Sequence, residues 1–157
     1  MDIHNKIYVD NFLDPFAQPG GKTFMEISTE QIAAKKNVTV IRLQGDFDLV
    51  GAQQFDQQIS GMEKSAANSI LIDLSGVHFM SSAGIRSLNE LFYTLHPYDQ
   101  EKFKQEISPG IRSGTYKAPN LKLLKPNEMV ANTLKMVGLD MYLEVFEDEN
   151  TALQSFT

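Results

Sequence analysis

The chain contains no cysteine, so disulfides, thiolate metal sites and thiol nucleophiles are all excluded, which fits a reducing compartment. An excess of basic residues is also missing. Fourteen Lys and Arg stand against 20 Asp and Glu, for a net charge of -6, leaving no overall electrostatic footprint for a phosphate backbone and no expected nucleic-acid partner. No apolar run approaches the ~20 residues that a membrane helix needs, and Met1 to Asp10 carries acids where a secretory leader has a basic head. The expectation is a cytoplasmic protein with no membrane partner. What is present is ordinary globular composition, 42% hydrophobic and 22% charged over 157 residues, enough for one domain that buries roughly 70% of the surface of its unfolded chain.

Met1 to Lys22 mixes Ile7, Val9, Phe12, Leu13 and Phe16 with Pro15, Pro19, Gly20 and Gly21 and has no sustained period, which reads as an irregular N-terminal arm, residues 1–22. From Thr23 the periods become legible. Phe24 to Gln31 and Val38 to Leu43 read as a hairpin across Lys35-Lys36-Asn37, and Gly45 to Asp48 ends its second strand. Ala52, Phe55, Ile59 and Met62 recur at helical steps, predicting a helix ending near Ala66. Ile70 to Leu74 is a continuous apolar run, the pattern of a strand covered on both faces. A loop, Ser75 to Ser81, leads into a helix over Ser82 to Leu95 with Ser82 as its N-cap.

The connection His96 to Pro119 exceeds the usual loop length and reads as an insertion with a short helix near Asp99 to Ile107 and a flexible return. Leu121 to Leu124 is a short strand, Val130, Leu134 and Val137 mark a helix closed by Gly138, Leu143 to Phe146 is a last strand, and Leu153 and Phe156 lie on a terminal helix. This alternation predicts a single α/β domain, residues 23–157, with a mostly parallel sheet.

Most catalytic patterns are absent. Gly21-Lys22-Thr23 copies the end of a phosphate-binding loop, but Phe16 stands where that motif needs a glycine. His4, His78 and His96 share no metal-ligand spacing, and Gly-x-Ser-x-Gly does not occur. No cofactor or metal is expected. Three acids, Asp46, Asp48 and Asp73, fall at predicted strand ends, the edge where open α/β sheets build sites. A receiver-like or metal-dependent phosphoryl-transfer domain using these acids is therefore one alternative. Its plain counterpart has Asp48 capping the next helix and Asp73 accepting backbone N–H groups in its turn.

The sharpest feature is Asp73-Leu74-Ser75-Gly76-Val77-His78-Phe79-Met80-Ser81-Ser82-Ala83-Gly84-Ile85. A buried strand followed by small residues that open a helix places Ser81 and Ser82 at the positive end of a helix dipole. Here the chain resembles the STAS family, in particular the bacterial anti-sigma factor antagonists. Three segments carry the resemblance in order: Gly45 to Asp48, similar to the family's Gly-x-Leu-Asp; Ile70 to Gly84; and Leu121 to Phe146 with Val137-Gly138-Leu139-Asp140.

The resemblance implies a small mixed sheet flanked by helices and no enzymatic activity. It implies binding to an anti-sigma factor that is also a serine kinase, with a serine phosphatase reversing the phosphorylation. The family's usual site is Asp-Ser-Ser-Gly with the second serine as acceptor; here Ser81 aligns with the Asp, Ser82 with the first serine and Ala83 with the acceptor. Phosphorylation thus falls to Ser82, or secondarily Ser81, against the alternative of a constitutive STAS scaffold that is never modified. The expected partner-binding residues are Asp46, Asp48, Val77, His78, Met80, Ala83 and Gly84, joined by Arg86, Asn89 and Glu90, which lie off the helix stripe of Ile85, Leu88 and Phe92. A homodimer, formed through the arm or the insertion, is a further candidate assembly.

Overall fold

A computed structural model describes residues 24–62 and 69–157 and the backbone of 5–7. Among the described residues six strands form one sheet in sequential order: β1 (Asn5–Ile7), β2 (Glu26–Ala33), β3 (Asn37–Phe47), β4 (Ile70–Met80), β5 (Leu121–Leu124) and β6 (Val145–Phe146). The first three pair antiparallel and the last three join β3 in parallel, so the sheet is mixed, as an α/β domain with hairpin and crossovers requires. The helices are α1 (Leu49–Ser60), α2 (Ser82–Leu95), α3 (Gln100–Lys102), α4 (Ser108–Ser113), α5 (Glu128–Val137) and α6 (Glu149–Ser155).

Strand alternation sends side chains to two unequal layers. Ile41, Leu43, Ile70, Ile72 and Leu74 point into the main core with Phe55 of α1, Leu88 and Phe92 of α2, and Val130 and Leu134 of α5. Val38, Val40, Leu71 and Leu124 point the other way, onto Ala152, Leu153 and Phe156. Beside that thin second layer Arg42 reaches Glu30, Asp73 and Glu149 at 3.0, 2.9 and 2.7 Å.

Several predicted boundaries shift. The stretch Ser75 to Ser81 is not a loop, because β4 continues to Met80 alongside an equally extended β3, with register shifts between Arg42 and Gln44 and between Gly45 and Asp46. These irregularities bring backbone close: a Cβ on Gly76 would lie 2.7 Å from the Leu43 carbonyl oxygen. Gly45 to Asp48 likewise does not stop β3, which runs to Phe47. The helix expected to reach Ala66, itself outside the described residues, ends at Ser60 with Gly61 as C-cap, and the last strand is only Val145–Phe146.

The insertion is more regular than expected. From Gln100 to Ser113 the chain stays helical, with a π turn over Phe103–Ile107 between α3 and α4, and Gly114 ends it at φ 76°. It is seated by aromatics: Tyr98 and Tyr116 share a hydroxyl hydrogen bond, and the rings of Tyr116 and Phe103 lie 6.4 and 5.9 Å, centroid to centroid, from Phe92 and Tyr93 of α2. His96 is buried, its Nδ1 2.9 Å from the Phe92 carbonyl and its Nε2 accepting from Asn120 N–H at 3.3 Å. That network assigns a neutral ring with the proton on Nδ1. Burial pulls its pKa below the usual histidine value, partly opposed by the Phe92 carbonyl. Of the N-terminal arm, β1 is described and lies antiparallel to β2; the Gly21-Lys22-Thr23 segment and His4 lie outside the described residues.

Candidate functional site

β3, β4 and β5 end at one edge of the sheet, and α1, α2 and α5 start there. Each start has a local cause. Asp48 caps α1, its Oδ1 accepting from Gly51 N–H at 3.0 Å. Asn127 caps α5 through Val130 N–H at 2.8 Å, while its Nδ2 donates to the Val77 and His78 carbonyls at 3.0 and 3.3 Å. That side chain stitches α5 to the end of β4, and Lys125 just before it adopts a left-handed φ of 50°.

The start of α2 is built differently. Its N-cap is Ser81, not Ser82, because both the N–H and the hydroxyl of Ser81 donate to the Phe47 carbonyl, at 3.0 and 3.3 Å. The Ser81 hydroxyl is thereby committed to β3 and does not cap the helix. The first N–H groups of α2 therefore lack both an intrahelical partner and a side-chain cap, and Ser82, the first helical residue, is exposed. Close packing enforces this geometry, since a Cβ on Gly84 would lie 2.6 Å from the Phe47 carbonyl oxygen and 2.9 Å from its Cγ. Only glycine lets α2 approach β3 so closely.

Around Ser82 the same edge presents Leu49, 63% exposed, and Phe79, 47% exposed. Asp46 and His78 are both accessible, with 3.8 Å between Oδ1 and Nδ1. Arg86 and Glu90 are exposed on α2, and Ala83 is half-buried. The other expected contact residues are placed otherwise. Val77, Met80 and Gly84 are buried and belong to the core, because the register shift between Gly45 and Asp46 leaves His78 as an extra residue in β4 and so breaks the alternation, with Val77 and Met80 buried and the adjacent His78 and Phe79 both exposed. Asn89 is half-buried and accepts the Tyr142 hydroxyl at 2.6 Å. Leu49, Phe79 and Asn127 escape a reading by sequence motif; the polar Asn after Pro126, at the start of an amphipathic run, is the only signal for any of them.

Asp73 does not join Asp46 and Asp48. It lies opposite Arg42 in the β3–β4 register, four residues before the Asp46 pairing, bonded to Arg42 at 2.9 Å and to Ser75 N–H at 2.9 Å. Burial raises its carboxyl pKa, but the Ser75 hydrogen bonds and Arg42 outweigh that and hold it below the ordinary value. Among the described residues no three His, Asp or Glu side chains converge as a metal-binding group. The receiver-like alternative fails on this geometry, since its three acids do not meet. Asp73 also cannot repel a phosphate on Ser82.

Comparison with known families places this architecture. The sequence model of the STAS domain family matches residues 30–99, a stretch that runs from β2 through α2. The fold of the chain is shared with an anti-sigma factor antagonist from Mycobacterium paratuberculosis, at 19% identity and a TM-score of 0.58 over 83% of this chain and 94% of that one. It is also similar to the anti-sigma factor antagonist SpoIIAA in its unphosphorylated form, at 19% identity and a TM-score of 0.52 over 79% and 91% of the two chains. No helix among the described residues is long and apolar enough to cross a membrane.

Proposed function

We propose that this protein is an anti-sigma factor antagonist, a cytoplasmic, non-catalytic binding module that captures an anti-sigma factor of the serine-kinase type and so frees a sigma factor for transcription. The observation that carries this reading is the start of α2: Ser82 stands exposed at the first helical position, above uncapped N–H groups, on an edge that also offers Leu49 and Phe79. Apolar side chains bordered by Asp46, Asp48 and Arg86 make a surface with an adhesive centre and a charged rim.

Ser82 is the switch in this reading. A phosphate there adds about -1.5 to -2 charges. The α2 dipole tolerates that charge, whereas Asp46, Asp48 and an apolar partner surface do not. Ser81 is the lesser acceptor, because its hydroxyl already donates to Phe47. Dephosphorylation by a serine phosphatase resets the module. The scaffold reading, in which binding is constitutive, draws on Ala83, which puts a methyl group where the resemblance expects the acceptor hydroxyl.

The test pairs the full chain with a purified serine-kinase anti-sigma factor and ATP. The expected result is one phosphoryl group on Ser82 by mass spectrometry and at least ~10-fold weaker binding of Ser82→Asp than of wild type. Tight binding by wild type and Ser82→Asp alike leaves the scaffold reading. No binding by either removes the antagonist reading.

A further inference from the structure

The cap of α5 does more than a cap requires. An N-cap side chain needs only an acceptor for the first free N–H groups, and Asp, Ser or Asn supplies one about equally well; Asp48 does so for α1. Asn127 adds a donor. Its Oδ1 is fixed as the acceptor by Val130 N–H at 2.8 Å, which leaves Nδ2 and its two hydrogens for the Val77 and His78 carbonyls at 3.0 and 3.3 Å. In a regular strand two successive carbonyls point to opposite sides, so one nitrogen cannot reach both. Here they converge because His78 is an extra residue: Val77 pairs with Gly45 and Phe79 with Asp46. β5 pairs with β4 only as far as Asp73, opposite Leu124, and further along β4 the Asn127 amide is the hydrogen-bond partner instead.

From this geometry we infer that Asn127 is a positioning residue for the partner surface: it clamps the bulge at His78 and so sets the pose of Phe79, an aromatic side chain left 47% exposed on the edge that carries Ser82. The clamp is itself anchored. Lys125 N–H donates to the Phe146 carbonyl at 2.8 Å, Lys125 is left-handed at φ 50°, and Pro126 fixes φ at the next position, which ties the cap to β6. An aspartate at position 127 keeps the cap but sets a carboxylate against two carbonyl oxygens and removes their donor. Asn127 acts through Phe79, and the identity of the partner rests on the antagonist reading above.

Two measurements keep the clamp separate from that reading. In NMR spectra of the free full chain, Asn127→Asp and Asn127→Ser both retain a capping oxygen, so the helical shifts of α5 should persist. The amide nitrogens of His78 and Phe79, each of which follows a clamped carbonyl, should move in both variants. Binding to the purified serine-kinase anti-sigma factor then supplies a double-mutant cycle. Phe79→Ala should weaken binding about 10-fold or more and Asn127→Asp about 5-fold; added to Phe79→Ala, Asn127→Asp should cost less than about 2-fold further, because the group it positions is gone. Equal losses in the two backgrounds assign Asn127 a contact or a structural role of its own and overturn the inference. So do wild-type affinity in Asn127→Asp, or His78 and Phe79 amides indifferent to both substitutions. Failure of the wild-type chain to bind overturns the antagonist reading and the partner with it, whereas the NMR comparison decides the clamp by itself.

Discussion

The two faces of the sheet are held by different physics. On one, α1, α2 and α5 cover the strands with large apolar side chains, including Phe47 and Phe55 with ring centroids 5.3 Å apart, and fit closely enough that Gly84 has no space for a Cβ. On the other, the seven-residue α6 covers only a few apolar side chains, and ionic contacts fasten its ends. Glu149 at its start reaches Arg42. Near its end Lys122, buried on β5, donates to Glu144 and to the Ser155 carbonyl and lies 5.1 Å from the centroid of the Phe156 ring. A wide area of contact suffices on the first face; a short helix with little area to bury needs directed charges on the second.

Substitutions that break this contrast rank in size. Phe92→Ala should cost the most, about 3–5 kcal/mol in urea unfolding, because Phe92 packs against Tyr142, Tyr116 and His96 at once. Arg42→Met, on the ionic face, should cost about 2 kcal/mol at pH 7 by leaving three carboxylates without their cation; partial exposure of Arg42 keeps the figure below that of a fully buried pair. The same variant should lose less at pH 3, where those carboxylates take up protons, whereas the Phe92→Ala deficit should hardly move.

Proton linkage gives each face its own window. Asp73 titrates lower in the folded protein than in the unfolded chain, so its contribution is present above about pH 4 and is lost as pH falls through the folded value. His96 is also lowered on folding. The unfolded chain then binds the extra proton below about pH 6.5, and stability declines from there toward the folded value as pH falls. Thermal melts should therefore weaken in two stages on acidification, with His96→Gln flattening the upper stage and Asp73→Asn the lower. The smallest effect is expected of Lys122→Met, within about 1 kcal/mol of wild type, because an apolar side chain of similar length can lie between Phe146 and Phe156 without a charge to desolvate.

Much of this was legible before any coordinates. The bounds of α2 and β5 follow from the spacing of Leu88 and Phe92 and from the run Leu121 to Leu124, and Gly138 closes α5 in the left-handed conformation that its position suggested. The site was legible in part. The Asp73 to Ile85 segment was recognisable, but Ser75, Gly76 and His78 read as loop because their polarity and small size obscured a strand that exists only through pairing with the far end of β3. Contact residues assigned by proximity in sequence included Val77 and Met80, both of which a bulge at His78 leaves buried, and omitted the exposed Phe79 between them.

The sequence alone determined the alternating α/β class, the family resemblance and the substitution of Ala83 at the aligned acceptor position, since composition, period and motif are local properties. Tertiary structure decided which serine is free and which is bound, because the Phe47 carbonyl that holds Ser81 comes from a strand 34 residues away. It likewise separated Asp73 from Asp46 and Asp48. The direction in which a side chain points at a sheet edge depends on the register of neighbouring strands, and no local pattern encodes that register.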